Sequence, residues 1–393
     1  MQQAYDVVIL GAGASGLMCA IEAGKRGRRV AVLDHRPGPG SKILIAGGGR
    51  CNFTNLDVSP AHYVSGNPHF CKSALSRFTQ WDILELVNRH GIPYEERNHG
   101  QLFCRRKALD LLDMLLSLAR EANVEFRHGC GIDGVDREAD GFSVRTDLGT
   151  FRAGSLVVAT GGLSYPTVGA SPLGYRIARQ FGIAVVPTSA GLVPFTLQPH
   201  DKERLSALPG IAVPATLTVG TFRFTENLLF THRGLSGPVV LQASNRWSPG
   251  QEIGIDLLPG QDLSRSLEEA RARRPDQLVR TFVAELLPRR LAEAVLPEPL
   301  AGMRVAALGR SQTVEIVRSV QAWMLKPGGT EGYRTAEVTR GGVDCDALSS
   351  RTLEAQAVPG LFFVGEVVDV TGALGGYNLQ WAWSSGWCAG QFA

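Results

Sequence analysis

Tyr5-Asp6-Val7-Val8-Ile9-Leu10 is a short β-branched run that ends in Gly11-Ala12-Gly13-Ala14-Ser15-Gly16, after which Leu17 to Lys25 carries helix-forming residues up to Gly27. The pattern predicts a strand, a glycine turn and a helix, and Arg29 to Leu33 predicts a second strand that delivers Asp34. Pro68 to Arg89 places apolar residues at helical spacing, and Lys107 to Glu121 repeats this with Leu111, Leu112, Leu115 and Leu118 on one side. Both read as core-facing helices. Val124 to Ala159 alternates in short strands broken at Ala139-Asp140-Gly141 and Leu148-Gly149, and its last piece, Leu156 to Ala159, runs into Thr160-Gly161-Gly162.

Beyond helix Gly174 to Phe181, Pro187 and Pro194 mark a change to turn-rich β sequence, with strands expected around Phe195, over Thr216 to Thr225 and over Gln251 to Leu257. Ser264 to Leu325 then reads as helical, with Ser264, Asp276 and Ser311 as expected N-caps. Thr335 to Val343 returns to strand, and Leu361 to Val364 is an apolar strand ending in Gly365-Glu366. The expected fold is α/β, a Rossmann-like domain interrupted by an insert of roughly 150 residues.

Composition narrows the class. Of 393 residues, 40 are Lys or Arg and 37 are Asp or Glu, so the net charge is 40 − 37 = +3. That balance argues against a dedicated nucleic-acid binder and against a polybasic membrane anchor. The arginines of the 264–325 segment are interleaved with Glu268, Glu269, Glu285 and Glu293, which reads as a solvated helical face. No apolar run approaches the roughly 18 residues needed to cross a bilayer. Seven cysteines without a tight pair, and no C-x-x-C or Cys/His cluster at ligand spacing, point to a reducing compartment, no disulfide framework and no metal site. With a start that reads as strand rather than signal peptide, the expectation is a soluble cytoplasmic protein.

The first turn carries the clearest chemistry. Gly11 permits a tight turn, Gly13 lets backbone approach a pyrophosphate, and Gly16 lets helix and strand pack closely; Ala14 and Ser15 offer first-turn N–H groups. Asp34 stands 34 − 16 = 18 residues beyond Gly16, the separation expected for a carboxylate on an adenosine ribose, with His35 beside it. After Asp34 comes an extended glycine-rich arm with Lys42, Gly49, Arg50, Cys51, Asn52 and Thr54, donors suited to phosphate, ribityl hydroxyls and a polar ring edge. Near the other terminus, the loop Gly372 to Gly376 opens a second helix-compatible run, whose start would aim N–H groups into the same crevice.

The stretches Gly47-Gly48-Gly49-Arg50-Cys51-Asn52-Phe53-Thr54-Asn55 and Gly375-Gly376-Tyr377-Asn378-Leu379-Gln380-Trp381-Ala382 resemble the bacterial flavoprotein family that includes bile-acid double-bond reductases and aminoacetone oxidases. The resemblance extends to Thr160-Gly161-Gly162-Leu163-Ser164-Tyr165-Pro166, to Phe230-Thr231-His232-Arg233-Gly234-Leu235-Ser236-Gly237-Pro238 and to Gly365-Glu366. It implies FAD held by a domain of residues 1–187 and 336–393, a small β-barrel insert of 188–262 and 326–335, and a helical subdomain of 263–325. It also implies Ile132 near the adenine, Thr160, Gly161 and Gly162 at the cofactor, Glu366 near the ribityl chain, and Gly376, Tyr377, Asn378 and Leu379 at the flavin edge. One departure stands at Gln101 to Ala108, which reads Gln-Leu-Phe-Cys-Arg-Arg-Lys-Ala where the family favours a proline and a serine.

The expected activity is FAD-dependent oxidation or reduction of a small organic substrate by hydride transfer through flavin N5, either reduction of an activated C=C bond or oxidation of an amine. Tyr377, His232 and Tyr165 are the candidates for the accompanying proton transfer. With no second G-x-G-x-x-G, NADH or NADPH is expected to dock only transiently if it is the electron donor. Two alternatives stay open: an NAD-only Rossmann dehydrogenase, and a non-catalytic or RNA-associated flavoprotein. The expected partner is a small molecule, with no nucleic acid and no membrane; the oligomeric state is not legible.

Overall fold

The computed structural model describes residues 2–393. The chain divides into two compact units, one reaching to Ala190 and resuming at Glu337–Ala393, the other Gly191–Ala336. The first unit is built on a seven-stranded mixed sheet. Its centre is β1 (Gln2–Leu10), flanked in parallel by β2 (Val30–Asp34) and β5 (Gly149–Val158), and β6 (Leu361–Phe363) also pairs in parallel with β5. Strand 125–128 extends the sheet beyond β2, and the antiparallel strands 141–146 and 132–138 extend it beyond β5. β2 and the second half of β1, Val7 to Leu10, are apolar and buried because both of their faces are covered.

Two helices lie together on this sheet: α1 (Ala14–Lys25) and α4 (Tyr377–Gly390). Their close approach is made by small residues. A methyl on Gly386 would stand 2.3 Å from the Ser15 carbonyl oxygen, and one on Gly390 would stand 2.8 Å from that of Cys19. The contacts advance in the same direction along both helices, so the two run parallel with their N-termini at the same end.

After Asp34 the chain is not simply extended, as the glycines suggested. It forms α2 (Ser41–Gly49), whose helical geometry fails at Ala46, Gly47 and Gly48, with φ of 56° and 68° at the two glycines. Cys51 follows at φ 46° and leads into β3 (Asn52–Asn55), which pairs with β4 (Gln101–Cys104), itself paired with strand 94–97. The long helix expected over Pro68 to Arg89 is two helices, Cys71–Arg77 and Gln80–Arg89. Phe78 leaves helical geometry, and Thr79 starts the second with a capping box in which the Asp82 carboxylate accepts from the Thr79 N–H at 2.6 Å. The leucine-striped helix is found as α3 (Ala108–Glu121), with Leu111, Leu112, Leu115 and Leu118 buried.

The second unit contains a seven-stranded antiparallel sheet in which 212–219 and 222–230 form a hairpin turning at Gly220-Thr221. Its end strands, 323–325 and 329–330, are not paired with each other, so the sheet is an open one rather than a closed barrel. The helices of residues 263–321 share one hydrophobic core with it: Leu267, Phe282, Leu291 and Ile316 pack with Phe195, Leu217 and Ile253. Their caps differ from the expected ones. Asp262, not Ser264, accepts from the Arg265 N–H at 3.0 Å, and the helices expected to start at Asp276 and Ser311 start after Leu278 and Gly309. At Gly309 the Gln312 side chain reaches back to the free N–H at 2.8 Å, which a serine two residues later does not do.

Candidate functional site

Of the expected site residues, all but His232 belong to the first unit. Gly11 donates to the Leu33 carbonyl at 2.8 Å, and its φ of 110° is one that glycine alone adopts without strain. A methyl on Gly11 would stand 2.5 Å from the Ala159 oxygen, and one on Gly16 would stand 2.0 Å from the Gly11 oxygen. Gly13 differs: a methyl there would meet nothing within 4 Å. Two glycines of the turn thus serve packing, and the third faces open space.

Gly13 is the N-cap of α1, Gly376 is the N-cap of α4, and neither helix has a side-chain cap or an acidic residue in its first turn. A helix start leaves N–H groups without intrahelical partners, and these two leave theirs to a ligand acceptor or water. Gly386 lies beside Ser15, so the start of α4 stands nine residues (386 − 377) back from that contact. α1 itself starts one residue before Ser15, so at 1.5 Å per residue the two helix starts are offset by about 12 Å along a common direction. One cradle suits an anion and the other a polar ring edge at the far end of the same molecule.

On the adenosine side, Asp34 accepts from the Ala12 N–H at 2.7 Å and from the Arg36 N–H at 2.8 Å. The carboxylate fixes the glycine turn and retains acceptor capacity toward a ribose. Cys130 donates its N–H to the Asp34 carbonyl at 2.9 Å, bringing the start of strand 132–138, with Ile132, to this edge. His35 is exposed at 3.6 Å from Asp34. Arg36 Nε and His128 Nδ1 are buried without a partner here, an incomplete polar shell at the end of β2.

Beside the first turn of α1, where a methyl on Gly365 would stand 2.4 Å from Ser15 Oγ, a polar cluster is assembled from four distant segments. Glu366 accepts from Lys42 Nζ, from Ser164 Oγ at 2.9 Å and from the Thr339 N–H at 2.8 Å, and Lys42 also donates to Ser164 Oγ at 2.6 Å. Gly161 faces open space, whereas a methyl on Gly162 would strike the Thr339 hydroxyl at 2.4 Å. Gly365 is held through its N–H on Ser385 Oγ at 3.0 Å. Thr160 carries a buried hydroxyl without a partner, against Gly174. Tyr165 is half-buried at φ 56°; burial first, and then the charge of Glu337, raise its phenol above the ordinary value. Glu337 is itself raised by burial, which Lys42 partly offsets.

At the second cradle several expected contacts turn inward. In the orientation that satisfies both ends of its amide, Asn52 accepts from the Gly376 N–H and donates to the Thr54 carbonyl, each at 3.1 Å. Asn378 bridges the Gly372 N–H at 2.8 Å and the Gly372 carbonyl at 3.0 Å. Both amides shape the turn and Asn52 takes the Gly376 N–H, leaving the first-turn N–H groups of Tyr377, Asn378 and Leu379 for a ligand. The Tyr377 ring is enclosed, stacked on His62 at 4.5 Å and edge-on to Tyr63 at 6.1 Å; burial, with the Asp57 charge adding, pushes its phenol up to about 12. Cys51 is fully buried, which holds it as a thiol well above its ordinary pKa. Arg50 is exposed, 3.6 Å from Glu95, and Gly49 precedes it at φ 86°. His232 sits in the second unit, exposed in the turn between strands 222–230 and 234–236.

Sequence reasoning missed Ser164, Glu337 and Thr339 around Lys42, and Asp57, His62 and Tyr63 around Tyr377. Single polar residues without a spacing pattern carry no signal of their own; only Ser164 and Glu366 lay within motifs. Among the described residues no group of three or more His, Cys, Asp or Glu side chains could hold a metal ion, and no helix is long and apolar enough to cross a membrane.

An anion cradle that opens a parallel strand–helix unit, a carboxylate at the end of the next strand and a second uncapped helix start on the same layer fit FAD. The class is a FAD-binding, Rossmann-type oxidoreductase. The chain belongs to the family described as HI0933-like protein Rossmann domain, which matches residues 5–392. It is 52% identical over 390 residues to the ribosomal RNA dihydrouridine synthase of Escherichia coli (strain K12), covering 98% of this chain and 97% of the relative. The protein of that name from Haemophilus influenzae is 46% identical over 396 residues, covering 99% and 98%. The 3-dehydro-bile acid delta(4,6)-reductase of Clostridium scindens is 29% identical over 404 residues, covering 98% of each. The fold is that of the 3-ketosteroid-delta4-(5alpha)-dehydrogenase from Rhodococcus jostii RHA1, with a TM-score of 0.50 at 16% identity, over 99% of this chain and 97% of the other. Membership in a FAD-binding family sets aside the NAD-only alternative.

Proposed function

We propose that this chain reduces an activated carbon–carbon double bond, the C5=C6 bond of a uracil base in ribosomal RNA, to give dihydrouridine. The observation that carries the flavin part of this reading is the pair of parallel, uncapped helix starts offset by about 12 Å. The substrate comes from the two relatives that match this chain end to end at 52% and 46% identity. A reductase of unsaturated bile acids at 29% identity shares the chemical type, addition of two hydrogens across a C=C bond. This reading replaces the expectation of a small free substrate with a base carried on RNA, and amine oxidation becomes the weaker branch.

Bound FAD supplies hydride chemistry, and the chain supplies the rest. The N–H groups of Ala14, Ser15 and Gly16 take the pyrophosphate, and Asp34 takes the ribose. The first-turn N–H groups of Tyr377 to Leu379 would hold the polar edge of the ring, where fixed dipoles would stabilise negative charge without reorganising. Lys42, Ser164 and Glu366 form the polar wall between these ends. Saturating C5=C6 requires one proton besides the hydride, and we assign it to the Tyr165 hydroxyl, which burial keeps protonated at neutral pH. Tyr377 is shut in by His62 and Tyr63 and serves as packing for the turn.

The test is anaerobic incubation of the purified yellow protein with unmodified ribosomal RNA and NADH or NADPH, followed by nucleoside mass spectrometry. Dihydrouridine formed only with the protein and a reduced nicotinamide is the expected result. RNA left unaltered while a small enone is consumed would sink the RNA reading and keep only the double-bond reductase.

A further inference from the structure

One stretch of the first unit, bounded by Glu95-Glu96 and Asp110, carries only positive charge. Residues 97–107 carry Arg97, Arg105, Arg106 and Lys107 and no carboxylate. Arg97 is laid over the Phe103 ring at 4.1 Å and paired with Glu95 at 2.7 Å. The other three are exposed and follow directly on β4. Among the described residues no carboxylate makes a close ion pair with Arg105 or Lys107, although the Arg105 charge helps to lower the Glu95 carboxyl, and Arg106, 67% exposed, lies 3.5 Å from Asp110. An exposed pair of that length contributes little. Local stability does not explain these cations either, because they precede the start of α3, where positive charge is disfavoured.

Their place in the fold ties them to the second cradle. β4 begins at Gln101, whose side chain a methyl on Gly375 would meet at 3.3 Å. Four residues of strand then lead to Arg105, about 13 Å away at roughly 3.3 Å per residue. We propose that Arg105, Arg106 and Lys107 form a phosphate-binding strip for the RNA backbone beside the target base, delivering the base to the Gly375–Gly376 turn. This rests on the RNA reading of the substrate. Phosphate contacts of this kind fix register and supply affinity, and they carry no base specificity.

The experiment measures binding of a fluorescent single-stranded RNA to the FAD-loaded protein over a range of KCl, for wild type, R105A/R106A/K107A and R105K/R106K. Three lost phosphate contacts lower the slope of log affinity against log salt by about 2, at ~0.7 per contact for a single strand. Affinity at low salt is expected to fall at least tenfold, with flavin absorbance and thermal midpoint unchanged and the lysine variant retaining binding. An unchanged slope and affinity in the alanine variant, with the wild type still forming dihydrouridine, would overturn the strip alone. A wild type that neither binds RNA nor forms dihydrouridine overturns the substrate reading and the strip with it.

Discussion

The glycine turn at residues 11–16 and the polar cluster around Glu366 both belong to the first unit, yet they are built in opposite ways. The turn is local: six consecutive residues, an adjacent strand and an adjacent helix, locked from outside by the Leu33 carbonyl, the Asp34 carboxylate and the Gly40 N–H. The cluster draws Lys42, Ser164, Thr339 and Glu366 from four separate segments, none sharing a helix or strand. A cradle for an invariant anion is made by backbone geometry, which short motifs encode. A polar wall that recognises a particular ring and moves a proton is made of side chains that meet only after folding.

The sharpest break in this comparison comes from the turn itself. Gly16→Ala forces a methyl to 2.0 Å from backbone and is expected to cost at least about 3 kcal/mol and to leave the protein colourless, whereas Gly13→Ala folds with a near-normal midpoint and loses flavin. The ratio of 450 nm to 280 nm absorbance, read beside urea denaturation, separates the two. Equal effects on folding would show that the two glycines do not divide packing from ligand approach.

In the cluster, Tyr165→Phe is expected to lower the rate of dihydrouridine formation by about 10²-fold or more while the flavin is still reduced at a normal rate by nicotinamide. Stopped-flow of the two half-reactions distinguishes this from general damage. A smaller effect tests how the second cradle is tied down. Thr54 Oγ1 donates to the fully buried Gln380 Oε1 at 2.6 Å, so Thr54→Val leaves a buried acceptor unpaired and costs about 1–3 kcal/mol in urea denaturation.

The smallest effect depends on pH. Burial raises the Glu337 carboxyl above its ordinary 4.5 in the folded chain. A raised folded value means the carboxyl's favourable contribution is complete below pH 4.5 and is lost as pH climbs through the folded value. Glu337→Gln is therefore expected to match or trail the wild type in acid and to gain on it toward neutral pH. A stability difference that stays flat from pH 4 to 8 would contradict this placement.

Much of the fold was legible in the chain. β1, α1 and β2 follow from β-branched runs and glycines, and α3 from four leucines on one face. The break at Phe78-Thr79 was encoded in Thr79-x-x-Asp82, a cap signal masked by apolar residues that continue at helical spacing on both sides. The caps at Ser264, Asp276 and Ser311 failed for another reason: several polar residues near each helix start could cap, and neighbouring contacts selected among them. The insert read as strands followed by helices, but whether the strands close on themselves depends on pairing between ends that local patterning does not specify.

The covalent order of residues was enough to establish the nucleotide-binding half, because a tight turn, a helix start and a strand-end acid lie within about thirty consecutive positions and their geometry is set by short-range sterics. It could not reveal that Asn52 and Asn378 brace a turn instead of reaching a ligand, that Tyr377 is walled in by His62, or that Ser164, Thr339 and Lys42 converge on Glu366. Apart from the Asn378 brace on Gly372, six residues away, those outcomes depend on contacts separated by tens to hundreds of residues, whose partners are chosen by burial and hydrogen-bond satisfaction across the folded core rather than by neighbours in the chain.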